Sequence, residues 1–149
     1  MTSIDPTKMT AEQWNSFNQT VIDDFRDKLG VVESGPFAGA PLVLITVKGA
    51  RSGTERVIPL VHSRDGDRVV IVASKGGAPK NPAWFHNLVA NPEVTVELPG
   101  ETFRARARVV EAEERDRLFR AHADLMPNFN DYAAATSRVI PVVVLEKAR

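Results

Sequence analysis

The sequence contains no cysteine, so disulfide bonds, thiolate metal ligands and thiol nucleophiles are all excluded. It also lacks a net charge, because nineteen basic residues balance nineteen acidic ones, and nothing in this balance points to nucleic acid or an acidic membrane surface as a partner. No apolar run approaches the roughly 18 residues of a membrane-spanning helix, and no charged-then-apolar leader opens the chain. We therefore expect a cytoplasmic protein without stable membrane insertion, with peripheral contact at the inner membrane face left open.

Several common catalytic motifs are missing as well. No strand is followed by G-x-G-x-x-G, and no serine lies in a G-x-S-x-G turn. The three histidines, His62, His86 and His122, share no metal-ligand spacing with carboxylates. No metal is predicted, and His62 and His122 are interpreted as structural residues. A chain with no obvious acid, base or nucleophile suits a bound cofactor that carries the chemistry itself.

The 149 residues suit one domain with one core. We expect a mobile tail over residues 1–9, an N-terminal helix over residues 10–29 and a barrel over residues 41–146. Six strands, mostly in sequential hairpins, are predicted at residues 42–48, 57–63, 69–73, 93–98, 102–110 and 139–146. With three or four helices, this pattern favours an α+β fold built on a small, mainly antiparallel barrel.

The helices follow from apolar spacing and from proline. An apolar stripe in the N-terminal helix predicts packing on the main body, while a lid or a surface anchor is the alternative. A second helix is predicted to begin with Asn81 as its cap and Pro82 in its first position. A third spans residues 111–126, and a short helix or turn covers residues 131–138. Three arginines alternate with apolar residues from 103 to 109 and are interpreted as a solvated face paired with glutamates.

Two basic, glycine-bearing turns stand out, at residues 49–56 and 74–80. Each follows a predicted strand, so both turns can meet at one end of a single sheet. Glycine lets backbone N–H groups approach an anion closely, and arginine, lysine and serine side chains add donors. The residues alone therefore predict a site for a phosphorylated or carboxylated small molecule.

The same stretch resembles the deazaflavin-dependent nitroreductase family, whose actinobacterial members use coenzyme F420. The resemblance covers about residues 41–145 and rests on G-A-R-S-G at 49–53 with Arg56, A-S-K-G-G-A at 73–78, and K-N-P at 80–82. It continues through A-N-P at 90–92, N-D-Y at 130–132 and R-V-I-P-V-V-V at 138–144. The resemblance implies a split β-barrel of the kind shared with FMN-binding oxidases.

It also implies the roles of individual residues. Arg51, Ser52, Gly53 and Arg56 match the motif on the phosphate side of the cofactor. Other residues match positions that line or support the cofactor groove: Pro59, Ala73, Ser74, Lys75, Gly76, Gly77, Trp84 and Asn87. Tyr132 and Ser74 are the candidate catalytic residues, with Tyr132 orienting the acceptor or supplying a proton. The alternative for Tyr132 is simple packing of the last helix on the barrel.

The implied activity is hydride transfer from reduced F420 to a quinone, an activated enone or a nitroaromatic compound. The member that activates nitro-drugs has lysine at the position of Arg51 and tyrosine at that of Phe129. The second difference removes a hydroxyl, which argues against activity on bicyclic nitro-drugs here. The partner is expected to be a small-molecule acceptor, and the protein a monomer or a homodimer.

Two other functions fit the same barrel. One is an FMN-binding flavoprotein, and the other a non-catalytic carrier of F420 or a fatty acid. The two basic turns suit the long acidic tail of F420 better than the single terminal phosphate of FMN.

Overall fold

The fold was analysed in a computed structural model, which describes residues 11–27, 41–74, 77 and 80–148. The predicted tail over residues 1–9, the end of the first helix at 28–29, and Lys75 and Gly76 lie outside the described residues. The helices are α1 (Ala11–Asp27), α2 (Ala83–Ala90), α3 (Ala112–Leu125) and α4 (Asn128–Ala134). The strands are β1 (Leu42–Lys48), β2 (Glu55–Val61), β3 (Ser63–Asp65), β4 (Arg68–Val72), β5 (Glu93–Leu98), β6 (Glu101–Val110) and β7 (Val142–Lys147).

The strands form one curled antiparallel sheet in the order β2-β1-β5-β6-β7-β4-β3. Its two edge strands, β2 and β3, are consecutive in the chain and are separated by a single residue, His62. This short connection requires the two edges to lie close together, so the sheet is curled. The result is the split β-barrel that was predicted. The fold class is α+β, as expected.

The predicted connectivity was wrong at one point. Residues 57–63 were expected to form one strand in a hairpin with residues 69–73, whereas β2 pairs with β1 and only β3 pairs with β4. The chain changes partner after His62, whose amide N–H donates to the Pro41 carbonyl (2.9 Å) and so continues the pairing of β2 with β1 by one residue. This break adds a seventh strand to the six that were predicted. A continuous apolar pattern cannot show where a strand exchanges its neighbour.

Apolar side chains fill the barrel and cover its outside. Inside, residues of β1, β4, β5, β6 and β7 pack with Trp84 and Leu88 of α2. Outside, the other faces of β4 and β7 pack against Leu118 of α3 and Phe129 of α4. Because both faces of the sheet are covered here, β7 is buried from Val142 through Leu145 without alternation.

The first helix packs on the barrel, as its apolar stripe predicted. Val21, Ile22 and Phe25 are buried against Leu42 and Leu44 of β1. An ion pair between Arg26 and Glu97 (2.8 Å) adds a polar contact at the edge of this interface. Among the described residues, no helix is long and apolar enough to cross a membrane.

The arginines of β6 form the solvated face that was predicted. Arg108 binds Glu146 (3.0 Å) and Glu114 (3.1 Å), and Arg104 lies 3.9 Å from Glu93. These pairs offset the charges of Arg104 and Arg108 and confirm the predicted glutamate pairing for two of the three arginines. Arg106 is exposed and forms no ion pair with a described residue.

The helix ends differ from the predictions. Pro82, and not Asn81, is the N-cap of α2, which begins at Ala83 without a side-chain cap. The helix α4 already begins at Asn128, three residues before the short helix or turn that was predicted from residue 131. The last strand starts at Val142, three residues later than predicted. At Asn81 a tertiary contact engages the side chain that was predicted to cap the helix, as described below.

His122 is a buried structural histidine. Its side chain is completely enclosed, Nδ1 lies 2.7 Å from the Ser63 hydroxyl, and its ring meets Phe129 edge-on at 4.4 Å. Within the described part of the chain Nε2 has no hydrogen-bond partner. Burial, with a smaller contribution from the nearby His62, lowers the pKa of His122 to about 4. The neutral ring therefore connects β3, α3 and α4 at physiological pH.

This depressed pKa predicts a pH dependence of stability. In the unfolded chain the imidazole has its ordinary pKa near 6.5, so between about pH 6.5 and 4 the unfolded state binds the proton more strongly. The free energy of unfolding is therefore highest above about pH 6.5. It falls by about 3 kcal/mol as the pH is lowered from 6.5 to 4. Urea unfolding of wild type and His122→Asn at pH 7 and pH 4.5 measures the difference.

The exposed His86 provides the control for that comparison. The variant His86→Asn should keep the pH dependence of wild type, while His122→Asn should show a shallower one. Burial also lowers the pKa of His62, so a pH dependence of the same sign remains in both variants. Equal slopes for wild type and His122→Asn would contradict the assignment.

Candidate active site

The two basic turns lie at the same end of the barrel. Strand direction alternates across β1, β5, β6, β7 and β4, so β1 and β4 run the same way. The first turn follows the end of β1 at Lys48, and the second follows the end of β4 at Val72. The sheet topology therefore places both turns at one end of the sheet, as predicted.

The first turn is held together by its own hydrogen bonds. Gly49 N–H donates to the Thr54 carbonyl (2.9 Å), and Gly53 N–H donates to the Gly49 carbonyl (3.0 Å). The Ser52 hydroxyl accepts a bond from Thr54 N–H (3.1 Å), and a Cβ at position 49 would lie 2.6 Å from that hydroxyl. Ser52, predicted as an anion donor, thus also shapes the turn.

Two arginines of the first turn carry uncompensated charge. The side chains of Arg51 and Arg56 are exposed, and neither forms an ion pair with any residue that the structure describes. A guanidinium offers several N–H donors and no acceptor, so such a pair is suited to a phosphate or a carboxylate. The donor set fits the anionic ligand that the sequence predicted.

The helix α2 connects the first turn to the second. Asn87 Oδ1 accepts a hydrogen bond from Ala50 N–H (3.0 Å), and Asn91 Nδ2 donates to the Lys48 carbonyl (3.4 Å). Trp84, on the same helix, is buried in the barrel core. Asn87 and Trp84 were predicted to line or support the groove. Asn87 supports the first turn, and Trp84 anchors the helix that carries Asn87.

The second turn begins in the core of the barrel. Ala73 and Ser74 are both buried, and Ala73 N–H donates to the Pro141 carbonyl (2.9 Å), which extends the pairing of β4 with the β7 segment. Gly77 N–H then donates to the Ser74 carbonyl (3.0 Å). Pro59 is buried in the edge strand β2, opposite Leu44, on the side of the barrel that carries the first turn.

Arg138, for which no role was predicted, contacts both ends of the second turn. Its Nη1 donates to Asn81 Oδ1 (2.8 Å) and to the Ala73 carbonyl (3.2 Å), and its Nη2 donates to the Ser74 carbonyl (2.7 Å). A single arginine before an apolar strand has no diagnostic spacing, so only its position in the resemblance motif could have singled it out.

Tyr132 lies beside the second turn. A Cβ at Gly77 would come within 2.9 Å of the Tyr132 carbonyl, which shows how closely α4 approaches this turn. The Tyr132 ring is half-buried and meets Phe129 edge-on at 5.2 Å. Its hydroxyl accepts a hydrogen bond from Asn128 Nδ2 (3.0 Å). The phenolic proton is therefore not used in that bond.

The fold and this end of the barrel define a split-barrel protein with two basic turns at one end and a tyrosine next to the second turn. Among the described residues no group of three or more histidines and carboxylates is placed to hold a metal ion. The family model for F420H(2)-dependent quinone reductase matches residues 19–147. The chain belongs to this family.

Individual proteins support the same assignment. The chain is 40% identical over 110 residues to the F420H(2)-dependent quinone reductase Rv1261c of Mycobacterium tuberculosis, covering 72% of this chain and 74% of the relative. It is 38% identical to the solved F420-H2 dependent reductase FDR-A, with a TM-score of 0.67 over 71% of this chain and 94% of that one. A solved domain-swapped dimer is 33% identical, with a TM-score of 0.69 over 92% of this chain and 100% of that one.

More distant structures share the fold alone. HutZ, the haem storage protein of Vibrio cholerae, is 16% identical and has a TM-score of 0.55. The barrel by itself therefore does not specify the ligand, and the assignment to the reductase family depends on the closer relatives.

Proposed function

We propose that this protein is an F420H2-dependent oxidoreductase that reduces a quinone, an activated enone or a nitroaromatic compound. The observation that carries the proposal is the placement of two basic turns at one end of the barrel, connected by α2 and flanked by Tyr132. The family of F420H(2)-dependent quinone reductases supplies the cofactor class. Since Rv1261c is named as a quinone reductase, quinones are the first acceptors to examine.

The residues present fit the cofactor. In the proposal Arg51, Ser52, Gly53 and Arg56 bind its phosphate, because the two guanidinium groups are exposed and uncompensated. The groove is assigned to Pro59, Ala73, Ser74, Lys75, Gly76, Gly77, Trp84 and Asn87, among which Lys75 and Gly76 remain predictions from the sequence. Bound reduced F420 supplies a hydride from C5 of its deazaflavin ring.

The chain's own contribution to the reaction is binding, orientation and one proton donor. Ser74 closes the buried end of the second turn, where it would border the reacting ring. Tyr132 faces the acceptor in this proposal, with its oxygen held by Asn128 and its proton left for an acceptor oxygen. Phe129 is buried against His122, which places that side chain in the core.

Replacing Tyr132 with phenylalanine should lower kcat about five- to tenfold, the loss expected for one hydrogen bond to the reacting acceptor. The dissociation constant of F420 should stay unchanged, because the hydroxyl is assigned to the acceptor side. Steady-state oxidation of F420H2 with menadione and a fluorescence titration measure the two quantities. Asn128→Ala, which removes only the partner of the hydroxyl, is the matched variant and should have the smaller effect. Normal turnover with weakened F420 binding would move Tyr132 to the cofactor side.

A titration with F420, with FMN in parallel, tests the proposed function itself. Saturable quenching with F420 alone, followed by menadione-dependent oxidation of F420H2, is the expected result. Saturable binding of FMN alone would favour the flavoprotein alternative. Binding of F420 without turnover on any quinone, enone or nitro compound would favour the carrier, for which the groove alone would be sufficient.

The proposal includes a homodimer as the assembly, because a related solved chain is a domain-swapped dimer. Analytical ultracentrifugation at several concentrations distinguishes this dimer from a monomer. A cytoplasmic location, with a small-molecule acceptor as the partner, completes the proposal. The balanced charge and the lack of cysteine are compatible with it.

A further inference from the structure

A half-buried guanidinium joins the two ends of the second basic turn. On one side, Arg138 binds the carbonyls of Ala73 (3.2 Å) and Ser74 (2.7 Å), which directly follow β4. On the other side, it binds Asn81 Oδ1 (2.8 Å), two residues before α2 begins. The intervening chain is thereby spanned by one side chain from the segment that leads into β7.

These contacts fix the direction of the peptide groups at the end of β4. In a planar trans peptide the N–H points opposite to the carbonyl of the preceding residue. Because the Ala73 carbonyl points to Arg138, the Ser74 N–H points away from it. Ala73 N–H is itself bound to the Pro141 carbonyl, so both backbone polar groups of Ala73 are held by the segment that leads into β7.

Arg138 also links the second turn to α2 through Asn81. Asn81 precedes the helix whose Asn87 holds the first turn at Ala50 N–H. Two contacts therefore connect both basic turns to one helix. The first joins Arg138 to Asn81, and the second joins Asn87 to Ala50. A change at Arg138 would alter the second turn relative to this helix and leave the contact at Ala50 intact.

We infer that Arg138 is a positioning residue that holds Ala73, Ser74 and Asn81 in the arrangement needed to bind the F420 ring. The inference rests on the proposed function. Arginine suits this role because its planar fork reaches three acceptors in different directions, whereas lysine offers one nitrogen. The role is distinct from that of Arg51 and Arg56, whose exposed charges are assigned to direct contact with the phosphate.

The test compares Arg138→Lys and Asn81→Ala with wild type. Both variants should raise the dissociation constant of F420, by about five- to twentyfold for Arg138→Lys and less for Asn81→Ala. The KM for F420H2 should rise with it, while kcat at saturating F420H2 changes by less than about twofold. Hydrogen exchange should become faster in peptides covering residues 73–82 and stay unchanged in β5.

Arg68→Lys is the matched control. Arg68 is also a half-buried arginine with several bonds, to Asp65 and Glu114, but it lies at the opposite end of β4. It should cost stability without changing F420 affinity or exchange at residues 73–82. The double variant Arg138→Lys with Asn81→Ala should be no weaker in binding than Arg138→Lys alone, since both remove the same contact.

Wild-type affinity and wild-type exchange at residues 73–82 in Arg138→Lys would overturn the inference. Equal loss of affinity in Arg138→Lys and Arg68→Lys would also overturn it, because it would indicate general destabilisation. If wild type itself fails to bind F420, the proposed function is wrong and the cofactor role of Arg138 is wrong with it. The exchange measurement then still reports separately on whether Arg138 holds the turn.

Discussion

Replacing Arg56 with alanine should raise the dissociation constant of F420 by about 10- to 100-fold, the value expected for a charge-assisted hydrogen bond to a phosphate. The side chain is exposed and forms no ion pair among the described residues, so its removal leaves no buried group unsatisfied. The protein should therefore unfold at the same urea concentration as wild type. Fluorescence titration with oxidised F420 measures the affinity, and the loss should become smaller at high salt.

Arg64→Ala is the control for this variant. Arg64 is also an exposed arginine on a strand, but it lies next to the β3–β4 turn, away from both basic turns. The two variants make the same change in net charge, so a difference between them reports a local contact and not the overall field of the protein. Wild-type affinity in a folded Arg56→Ala protein would remove Arg56 from the phosphate site.

Replacing Gly77 with alanine should have the second large effect, on both stability and binding. The backbone at Gly77 has φ +83°, and an added Cβ would lie 2.9 Å from both the Tyr132 carbonyl and the Ala135 Cβ. Left-handed strain and overpacking together should lower the free energy of unfolding by about 2–5 kcal/mol. Because relief requires the turn to move away from α4, F420 affinity and turnover should fall together. Urea unfolding and the F420 assays measure these changes.

Gly100→Ala separates strain from contact. Gly100 has a similar φ of +74° in the β5–β6 hairpin, but no heavy atom lies within 4 Å of a Cβ placed there. It should lose only the strain energy of about 1–2 kcal/mol, and it should bind F420 normally. If both glycine variants lost the same stability and kept their F420 affinity, the close approach of α4 to the second turn would have no functional role.

These two predictions depend on different properties of the site. Arg56 contributes charge that is free to meet a ligand, whereas Gly77 contributes space between the second turn and the helix of Tyr132. Their effects should be nearly additive, since they belong to different turns and share no contact among the described residues. The proposed anion site thus depends both on donors and on a backbone that can approach its neighbours closely.

The sequence by itself determined most of the local elements and predicted the chemistry of the site. Continuous β-branched residues at 42–48 and the run at 93–98 predicted β1 and β5 with their observed bounds. The apolar spacing of Val21 and Phe25 predicted the buried face of α1. Glycine with arginine or lysine in two turns indicated an anionic ligand, and the long motif around them indicated the family. Each of these signals lies within a few neighbouring residues, where local sterics and periodicity act.

Only the tertiary structure decided which distant groups meet. The apolar run at 57–63 was predicted as one strand, but it pairs with β1 up to His62 and with β4 from Ser63 onwards. Asn81 was predicted to cap α2, but its side chain binds Arg138, 57 residues later. Such pairings are set by the closure of the barrel, which gives each polar group its nearest available partner in space. Neither spacing nor propensity contains that information, and the arrangement of the second turn follows from it.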